Sequence, residues 1–298
     1  MKKRMLFIYN PHAGKELIRK KLSYFIEEFN RCGYEVTVYA TQKRNDATEI
    51  VRKRGAEFDR IVCAGGDGTM HETMVGIMQL SPEQRCPCGY LPAGTVNDFA
   101  HTIGIPKKIE AAVTIAEKGR PFSYDVGSMN DKFFNYIVAF GAFTSVSYET
   151  PQSTKNLLGK GAYFLEGLMK LPSIKPYHAV ITAGDGTKAE GDFIFGMVTN
   201  STSVGGFPLF RKSRVSLNDG MFEGVFVKNP KNPIEFQAVI AAFMSASAND
   251  QIITMCSESF TIQSDDRVAY TIDGENGGEH RTAVIQNHHR AITYLCQN

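Results

Sequence analysis

The chain has 298 residues, enough for one large domain or two ordinary ones, and its 43% hydrophobic content is typical of a globular protein with a substantial core. A formal net charge of +2 gives no reason to expect a nucleic-acid-binding protein. No apolar run is long enough to span a bilayer, no secretory signal is expected at the N-terminus, and six scattered cysteines suit reduced thiols in a cytoplasmic protein.

The first half of the chain alternates between strand-like and helix-like segments. Short β-branched and aromatic runs predict strands over 5–9, 35–40, 60–64 and up to Pro92. Apolar residues at helical spacing predict helices over 22–29, 46–55, 70–78 and 109–118. Asp46 is expected to cap the second helix, with Glu49 three residues on. This order predicts a parallel sheet with crossover helices, in which ligands bind beyond the carboxyl ends of the strands.

Three polar loops follow predicted strands and are therefore expected at one edge of this sheet. They are residues 10–15, 65–69 and 93–99. The central loop, Gly65-Gly66-Asp67-Gly68-Thr69, joins a strand end to a helix start, where a glycine backbone and free helix N–H groups favour a phosphate. Asp67 would repel a phosphate, so it either binds a divalent cation or fixes the loop internally.

The pattern changes after Asp125-Val126-Gly127, and most later segments are strand-like. The predicted strands are 177–182, 193–198, 221–227, 259–263, 268–272 and 283–287. Helices are expected over Leu157–Leu171 and Pro233–Ala248. We therefore expect a domain of residues 1–128 and a second, mostly antiparallel domain of residues 129–298.

Six motifs in this order resemble those of the diacylglycerol kinase catalytic family, soluble bacterial lipid kinases related to sphingosine, ceramide and NAD kinases. The matching segments are 10–14, 65–69, 92–100, 125–127, 218–220 and 273–275. The segment 92–100 reads Pro-Ala-Gly-Thr-Val-Asn-Asp-Phe-Ala and is the longest and most specific. Two segments depart from the family: Asn218 stands where an Asp is usual, and Gly205–Arg211 follows its segment only loosely.

The resemblance implies an α/β N-terminal domain, like that of NAD kinases and phosphofructokinases, that binds nucleotide. It also implies a C-terminal β-sandwich domain with helices that binds the lipid substrate. The activity implied is transfer of the γ-phosphate of ATP to a lipid hydroxyl, with diacylglycerol giving phosphatidic acid. The nucleotide-binding residues expected on this basis are Asn10, Pro11, Gly14, Thr41, Gly65, Gly66, Asp67, Gly68, Thr69, Thr95 and Asn97. Of these, Asn97 is expected chiefly to hydrogen-bond its own loop.

Two Mg²⁺ sites are expected. Asp67, Asp98 and Asp125 each follow a predicted strand, so they can converge on the ion that accompanies ATP, either as ligands or through water. The resemblance further implies a structural ion held by Asp219 with the carbonyls of Ser216 and Met221.

Asp273-Gly274-Glu275 is expected to supply the general base that takes the proton of the lipid hydroxyl. In an extended segment both carboxylates would face one side, and the sequence does not choose between them. We lean to Asp273, because it directly follows a strand and its short side chain is held more firmly.

Other readings remain open at this point. An NAD kinase would share the Gly-Gly-Asp-Gly turn, and a non-catalytic lipid- or nucleotide-binding regulator would tolerate loss of a carboxylate. Leu157–Leu171, with Lys155, Lys160 and Lys170, either lies on lipid headgroups at the inner face of the membrane or packs on the protein's own core. The sequence leaves open whether the chain forms a homodimer.

Overall fold

The computed structural model describes residues 2–95, 97–141, 175–201, 215–245 and 249–297. Contacts divide the chain into two compact units. The first comprises Met1–Asp125 and His289–Asn298, and the second comprises Val126–His288. Two expected segments, Leu157–Leu171 and Gly205–Arg211, lie outside the described residues.

The first unit contains a parallel sheet with helices between its strands, as predicted. Its first strands are β1 (Lys3–Tyr9), β2 (Tyr34–Ala40), β3 (Arg60–Gly65) and β4 (Cys88–Pro92). Its helices are α1 (Leu17–Lys20), α2 (Leu22–Arg31), α3 (Asp46–Arg54), α4 (Asp67–Met78), α5 (Asp98–Thr102) and α6 (Ile109–Lys118). Short 3₁₀ turns cover Ala13–Glu16, Gly55–Glu57 and Pro82–Gln84. The parallel pairs are β1 with β2, β1 with β3 and β3 with β4.

Two long strands pass from one unit into the other. They are β5 (Arg120–Met129) and β13 (Glu275–Cys296). Tyr294, near the end of β13, pairs in parallel with Cys88 of β4. The sequence predicts that residues 129–298 form one domain, whereas in the structure the last ten residues of the chain belong to the first unit. The buried rings of Phe99, Tyr124 and Tyr294 account for this return, since their centroids lie 5.0–5.5 Å apart in one cluster.

The second unit is built of antiparallel strands. These are β6 (Lys132–Phe134), β7 (Ile137–Gly141), β8 (Tyr177–Ala183), β9 (Lys188–Thr199), β10 (Phe222–Lys228), β11 (Ile252–Ser257) and β12 (Ser259–Ile272). Strands β7 and β8 each pair with both β9 and β12. Strand β10 pairs with β9, and β13 pairs with β12. The helix α7 covers Pro233–Ser245. The described strands of the second unit are joined by hydrogen bonds and enclose a core of aromatic and aliphatic side chains. The two-layer β-sandwich expected for this domain stays a prediction.

Several predicted elements differ from the structure. The strands expected at 259–263 and 268–272 are one strand, β12, whose register shifts between Gln263 and Val268 where the chain is polar. The strand expected at 283–287 is part of β13, and β11 had no counterpart in the prediction. Within the described ranges, no helix is long and apolar enough to cross a membrane.

The expected capping role of Asp46 is wrong. Its carboxylate accepts the N–H groups of Gln42 and Lys43, at 2.6 and 3.2 Å, so it fixes the preceding turn rather than the helix. The start of α3 is instead held by Glu72 of α4, whose carboxylate accepts the N–H groups of Asn45 (2.8 Å) and Ala47 (3.3 Å). A carboxylate at a helix N-terminus also interacts favourably with the helix dipole.

We expect Glu72→Ala to lower the free energy of unfolding by about 1–2 kcal/mol, because it leaves two N–H groups of a half-buried helix start without their acceptor. Glu49→Ala is the matched control, since Glu49 makes only exposed ion pairs with Arg52 and Lys53 and should cost little. Urea unfolding of both variants checks this, and equal losses would contradict the capping role of Glu72.

Candidate functional site

The loops that follow β1 and β2 lie side by side in the first unit. Asn10 donates its N–H to Ala64 of β3 at 3.0 Å, and its side chain accepts the N–H of His12 at 2.9 Å. Thr41 donates its N–H to the carbonyl of Tyr9 at 2.9 Å. These two predicted nucleotide residues therefore sit at the carboxyl ends of adjacent parallel strands.

Glycines allow the remaining loops of this edge to approach closely. A Cβ on Gly94 would lie 2.7 Å from the Cα of Gly66, and a Cβ on Gly14 would lie 2.7 Å from the carbonyl oxygen of Ala93. Gly14 also has a φ of 61°, which disfavours other residues. Ala93 donates its N–H to Gly65 at 2.8 Å. The three polar loops are thus brought together, as their positions after strands predicted.

The turn at residues 65–69 leads directly into α4. Gly66 is the N-cap of this helix and, being a glycine, has no side chain with which to cap it. The backbone at Gly68 is exposed, with no atom within 4 Å of the position that a Cβ would occupy. Helix N–H groups that are left without an intrahelical acceptor, beside open space, can bind an anion.

The threonines expected to bind phosphate differ in exposure. Thr69 is buried, and its hydroxyl faces back toward Gly65. Thr95 is exposed beside Gly94. Binding of phosphate by the Thr69 hydroxyl would therefore require rotation of the side chain, whereas Thr95 is already exposed to solvent.

Asn97 hydrogen-bonds its own loop, as expected. Its amide donates to the carbonyl of Gly94 at 2.7 Å and its carbonyl accepts the N–H of Gly94 at 2.9 Å. Its φ of 56° places it in the left-handed region that Asn tolerates. Direct binding of ATP by this buried side chain would compete with the bonds that shape the loop.

Asp67 and Asp98 are brought together. Asp67 begins α4 and accepts the N–H of Phe99 at 3.3 Å, and Asp98 begins α5. Burial, followed by the charge of Asp98, raises the pKa of Asp67 from 3.8 to about 6. A pair of facing carboxylates in which one resists ionisation has the donor chemistry that suits a divalent cation.

Asp125 is placed differently from the expectation. It lies inside β5 rather than after a strand, with no exposed surface. Its carboxylate accepts the N–H of Arg290 at 2.7 Å and lies 3.2 Å from Nδ1 of His289. Within the described part of the chain, no three His, Cys, Asp or Glu side chains are grouped so that they could hold a metal ion. The convergence of Asp67, Asp98 and Asp125 on one ion is therefore not seen.

In the second unit, Asp273 and Gly274 form the tight turn between β12 and β13. Ile272 pairs with Glu275, and the two turn residues have φ values of 49° and 85°, typical of a type I′ hairpin turn. The expectation of an extended segment with both carboxylates on one side is therefore wrong. The Asp-Gly pair was itself the signal for this turn.

The carboxylate of Asp273 is only 9% exposed and is held by three consecutive backbone N–H groups. These belong to Asn135 (2.7 Å), Tyr136 (3.0 Å) and Ile137 (3.2 Å). Glu275 is exposed. Asp273 thus ties the hairpin to the segment before β7, and Glu275 is the more accessible acid.

The turn that precedes β10 holds the residues expected to bind a structural ion. Asp219 accepts the N–H of Met221 at 3.0 Å. Ser216 donates its hydroxyl to the side-chain oxygen of Asn218 at 3.3 Å. The carbonyl of Met221 accepts the side-chain amide of Asn287 at 3.4 Å, and the structural ion at this turn stays a prediction.

Sequence reasoning missed the partners that hold the acidic residues. The N–H groups of residues 135–137 bind Asp273, and the N–H of Arg290 binds Asp125. These donors are backbone groups, which every residue except proline carries, so no side-chain pattern could have marked them.

Comparisons with known proteins identify the family to which the chain belongs. A family model of the diacylglycerol kinase catalytic domain matches residues 4–129. A diacylglycerol kinase of Bacillus subtilis (strain 168) is 35% identical over 281 residues, which cover 93% of this chain and 91% of the relative. A diacylglycerol kinase of Staphylococcus aureus (strain JH9) is 33% identical over 282 residues, which cover 94% and 88%.

A solved structure shows the same fold. The crystal structure of a diacylglycerol kinase from Bacillus anthracis str. Sterne superposes with a TM-score of 0.83 at 24% identity, covering 99% of this chain and 97% of that one. Membership of a kinase family implies ATP as the co-substrate. The chain belongs to the diacylglycerol kinase family and is a kinase that acts on an alcohol group.

Proposed function

We propose that this protein is an ATP-dependent lipid kinase that phosphorylates the free hydroxyl of diacylglycerol to give phosphatidic acid. Its relatives named diacylglycerol kinase, which match over most of the chain, support this substrate class. We further propose that it works in the cytoplasm and meets its lipid at the inner face of the membrane. Residues 1–128 are assigned to nucleotide and residues 129–298 to lipid.

The observation that carries the proposal is the uncapped start of α4 beside the exposed Gly68. A triphosphate needs several N–H donors and no opposing side chain, and this turn supplies both conditions. We assign phosphate binding to the backbone of residues 65–69 with Thr95. Asn10, Pro11, Gly14 and Thr41, on neighbouring loops, are assigned to the rest of the nucleotide.

Asp67 and Asp98 are the residues that would hold Mg²⁺ here. The raised pKa of Asp67 supports this assignment, because a bound cation would offset the burial and the charge of Asp98 that disfavour its ionised form. When bound, the ion would neutralise charge on the phosphates. Asp125, held by Arg290, is proposed to act through hydrogen bonds rather than as a ligand.

In the transfer itself, the lipid hydroxyl oxygen forms a bond to the γ-phosphorus while the bond from that phosphorus to the bridging oxygen of ADP breaks. The hydroxyl proton needs an acceptor. We propose Glu275 for this role, since its carboxylate is exposed while that of Asp273 is committed to three N–H groups. This choice reverses the preference for Asp273 drawn from the sequence.

The direct test of the function is transfer of label from γ-labelled ATP to single acceptors in detergent micelles. The panel is diacylglycerol, phosphatidylglycerol, ceramide, undecaprenol and NAD. We expect label chiefly in phosphatidic acid. Label in NAD alone would favour the NAD kinase alternative, and label in no acceptor would favour a binding protein without activity.

We expect Asp67→Asn to lower turnover by about 100-fold or more and to reduce the loss of stability between pH 4 and pH 8 without Mg²⁺. The folded-state pKa of Asp67, about 6, lies above its ordinary value of 3.8. Ionised Asp67 therefore destabilises the fold as the pH rises through this window, and the substitution removes that cost.

Thermal unfolding at pH 8 and pH 4 checks the second half of this prediction. The melting temperature of the variant minus that of the parent should be larger at pH 8, where Asp67 is ionised, than at pH 4, where it is protonated. Near-normal turnover at saturating Mg²⁺ would refute the catalytic assignment.

We expect Glu275→Gln to lower turnover by ~10²–10⁴ with unchanged ATP affinity and unchanged melting temperature, because the side chain is exposed and acts on the hydroxyl during transfer. Asp273→Asn should instead lower melting temperature and activity together, because an amide cannot accept all three N–H groups.

Single-turnover kinetics, equilibrium ATP binding and thermal unfolding of both variants separate these outcomes. If Asp273→Asn slows transfer at full stability while Glu275→Gln is normal, the two roles are reversed. If neither slows transfer, neither residue is the base.

A further inference from the structure

Lys132, the first residue of β6, contacts the start of β13, where the proposed proton acceptor lies. Its Nζ atom donates to the carbonyl oxygen of Gly277 at 3.1 Å and lies 3.5 Å from that of Asn276. Asn276 directly follows Glu275 in the chain. The ammonium group of Lys132 therefore holds the backbone immediately after the acid that is proposed to take the proton.

The two carbonyls that Lys132 holds belong to a β-bulge. Tyr270 of β12 pairs with Gly278 of β13, and the next residue, Thr271, pairs with Asn276. Gly277 is therefore an extra residue on β13. A Cβ at Gly277 would lie 2.9 Å from the carbonyl oxygen of Tyr270, so a larger residue would disturb this bulge. β-bulges are frequent next to active sites, where they redirect a neighbouring side chain.

Two further contacts fix the shape of the bulge. The side-chain oxygen of Asn276 accepts the N–H of Gly278 at 2.7 Å, and Nε2 of His280 lies 3.2 Å from the carbonyl oxygen of Gly277. A carbonyl oxygen can only accept, so the proton of His280 is assigned to Nε2. The carbonyl of Gly277 thus receives two donors, from Lys132 and from His280, and its two lone pairs can accept both.

The hairpin of β5 and β6 that carries Lys132 is itself anchored on β13. Asn130, in the turn of this hairpin, donates its N–H to the carbonyl of Val284 at 2.8 Å. Its side-chain oxygen accepts the N–H of Val284 at 2.9 Å. The φ of Asn130 is 53°, in the left-handed region that Asn tolerates. The Lys132 side chain therefore extends from a backbone whose position against β13 is fixed.

One short stretch, residues 132–137, holds the backbone on both sides of Glu275. The N–H groups of residues 135–137 bind the carboxylate of Asp273 before it, and Lys132 binds the carbonyls after it. Glu275 is exposed, and an exposed Glu side chain keeps much of its rotamer freedom. The direction in which this carboxylate reaches is therefore set mainly by the backbone that carries it.

We propose that Lys132 is a positioning residue for the phosphoryl transfer. By holding the carbonyls of the bulge, it sets the backbone from which Glu275 reaches the lipid hydroxyl, and it acts without contacting ATP or lipid. This inference rests on the proposed role of Glu275 as the proton acceptor. Misplacement of a reacting group by about 1 Å can lower a rate ~100-fold, so such a contact has a measurable effect.

The experiment measures single-turnover transfer from ATP to diacylglycerol in detergent micelles, with the full chain. Lys132→Met keeps the apolar stem without any N–H donor, and Lys132→Arg keeps the donors. We expect Lys132→Met to transfer phosphate at least about tenfold more slowly and Lys132→Arg to recover most of the rate. Lys188→Met, at an exposed lysine that begins β9, is the matched control and should transfer at the parental rate.

A double-mutant cycle with Glu275→Gln tests whether Lys132 acts through Glu275. In the Glu275→Gln background, Lys132→Met should change the rate by less than about twofold, because the group that it positions no longer accepts the proton. In the parental background, Lys132→Met should leave three quantities unchanged: the ATP affinity, the diacylglycerol concentration at half-maximal rate and the melting temperature. A merely structural role would lower the melting temperature and would persist without Glu275.

Several results would overturn the proposal. They are a normal rate in Lys132→Met, an equal loss in Lys188→Met, and a loss that persists undiminished in the Glu275→Gln background. A raised half-saturating concentration of diacylglycerol at full rate would also overturn it, since Lys132 would then bind the lipid. Failure of the proposed acceptor has a different signature: Glu275→Gln alone would transfer at the parental rate, and the positioning role of Lys132 would be refuted with it.

Discussion

Close backbone contact between Gly66 and Gly94 is the constraint on which the nucleotide edge of the first unit depends. A single added Cβ on Gly94 would meet both the Cα of Gly66 and the side chain of Asn97 at 2.7 Å. Gly66 is held by α4 and Asn97 is held by its hydrogen bonds to Gly94, so moving either residue to make room for a Cβ would cost free energy. The same contact brings α4 and α5 together at their N-termini, which is why Asp67 and Asp98 meet.

Phe99 connects this edge to the hydrophobic core. Its ring packs against Tyr124 and Tyr294, and its N–H donates to Asp67. The aromatic cluster therefore fixes both the short helix α5 and the direction of the Asp67 carboxylate. Tyr294 comes from the end of the chain, so the order of this site depends on a segment that is distant in sequence. Burial of three large rings supplies the free energy that holds the segment in place.

The sequence was informative where a local pattern determines local structure. The bounds of α6 were predicted from apolar spacing alone, and the loop positions of Asn10, Gly66 and Gly94 followed from the order of strands and helices. The sequence did not reveal hydrogen bonds between carboxylates and backbone N–H groups that are distant along the chain. Asp46 resembles a helix cap, yet Glu72 holds the helix, and Asp273 resembles a catalytic acid, yet three N–H groups occupy it. The Asp-Gly pair at residues 273–274 indicates a tight turn, whereas the family motif favoured a catalytic interpretation of Asp273.

The acidic residues discussed above differ in the hydrogen-bond donors and the charges that surround their carboxylates. Asp273 receives three backbone N–H groups, so its charge is compensated within the fold. Asp67 also accepts backbone N–H groups, those of Asn97, Asp98 and Phe99, yet burial and the charge of Asp98 raise its pKa to about 6. Retaining such a pair costs stability unless something else binds it. The nearby charge of Asp98, more than any deficit of hydrogen-bond donors, therefore distinguishes Asp67 from Asp273.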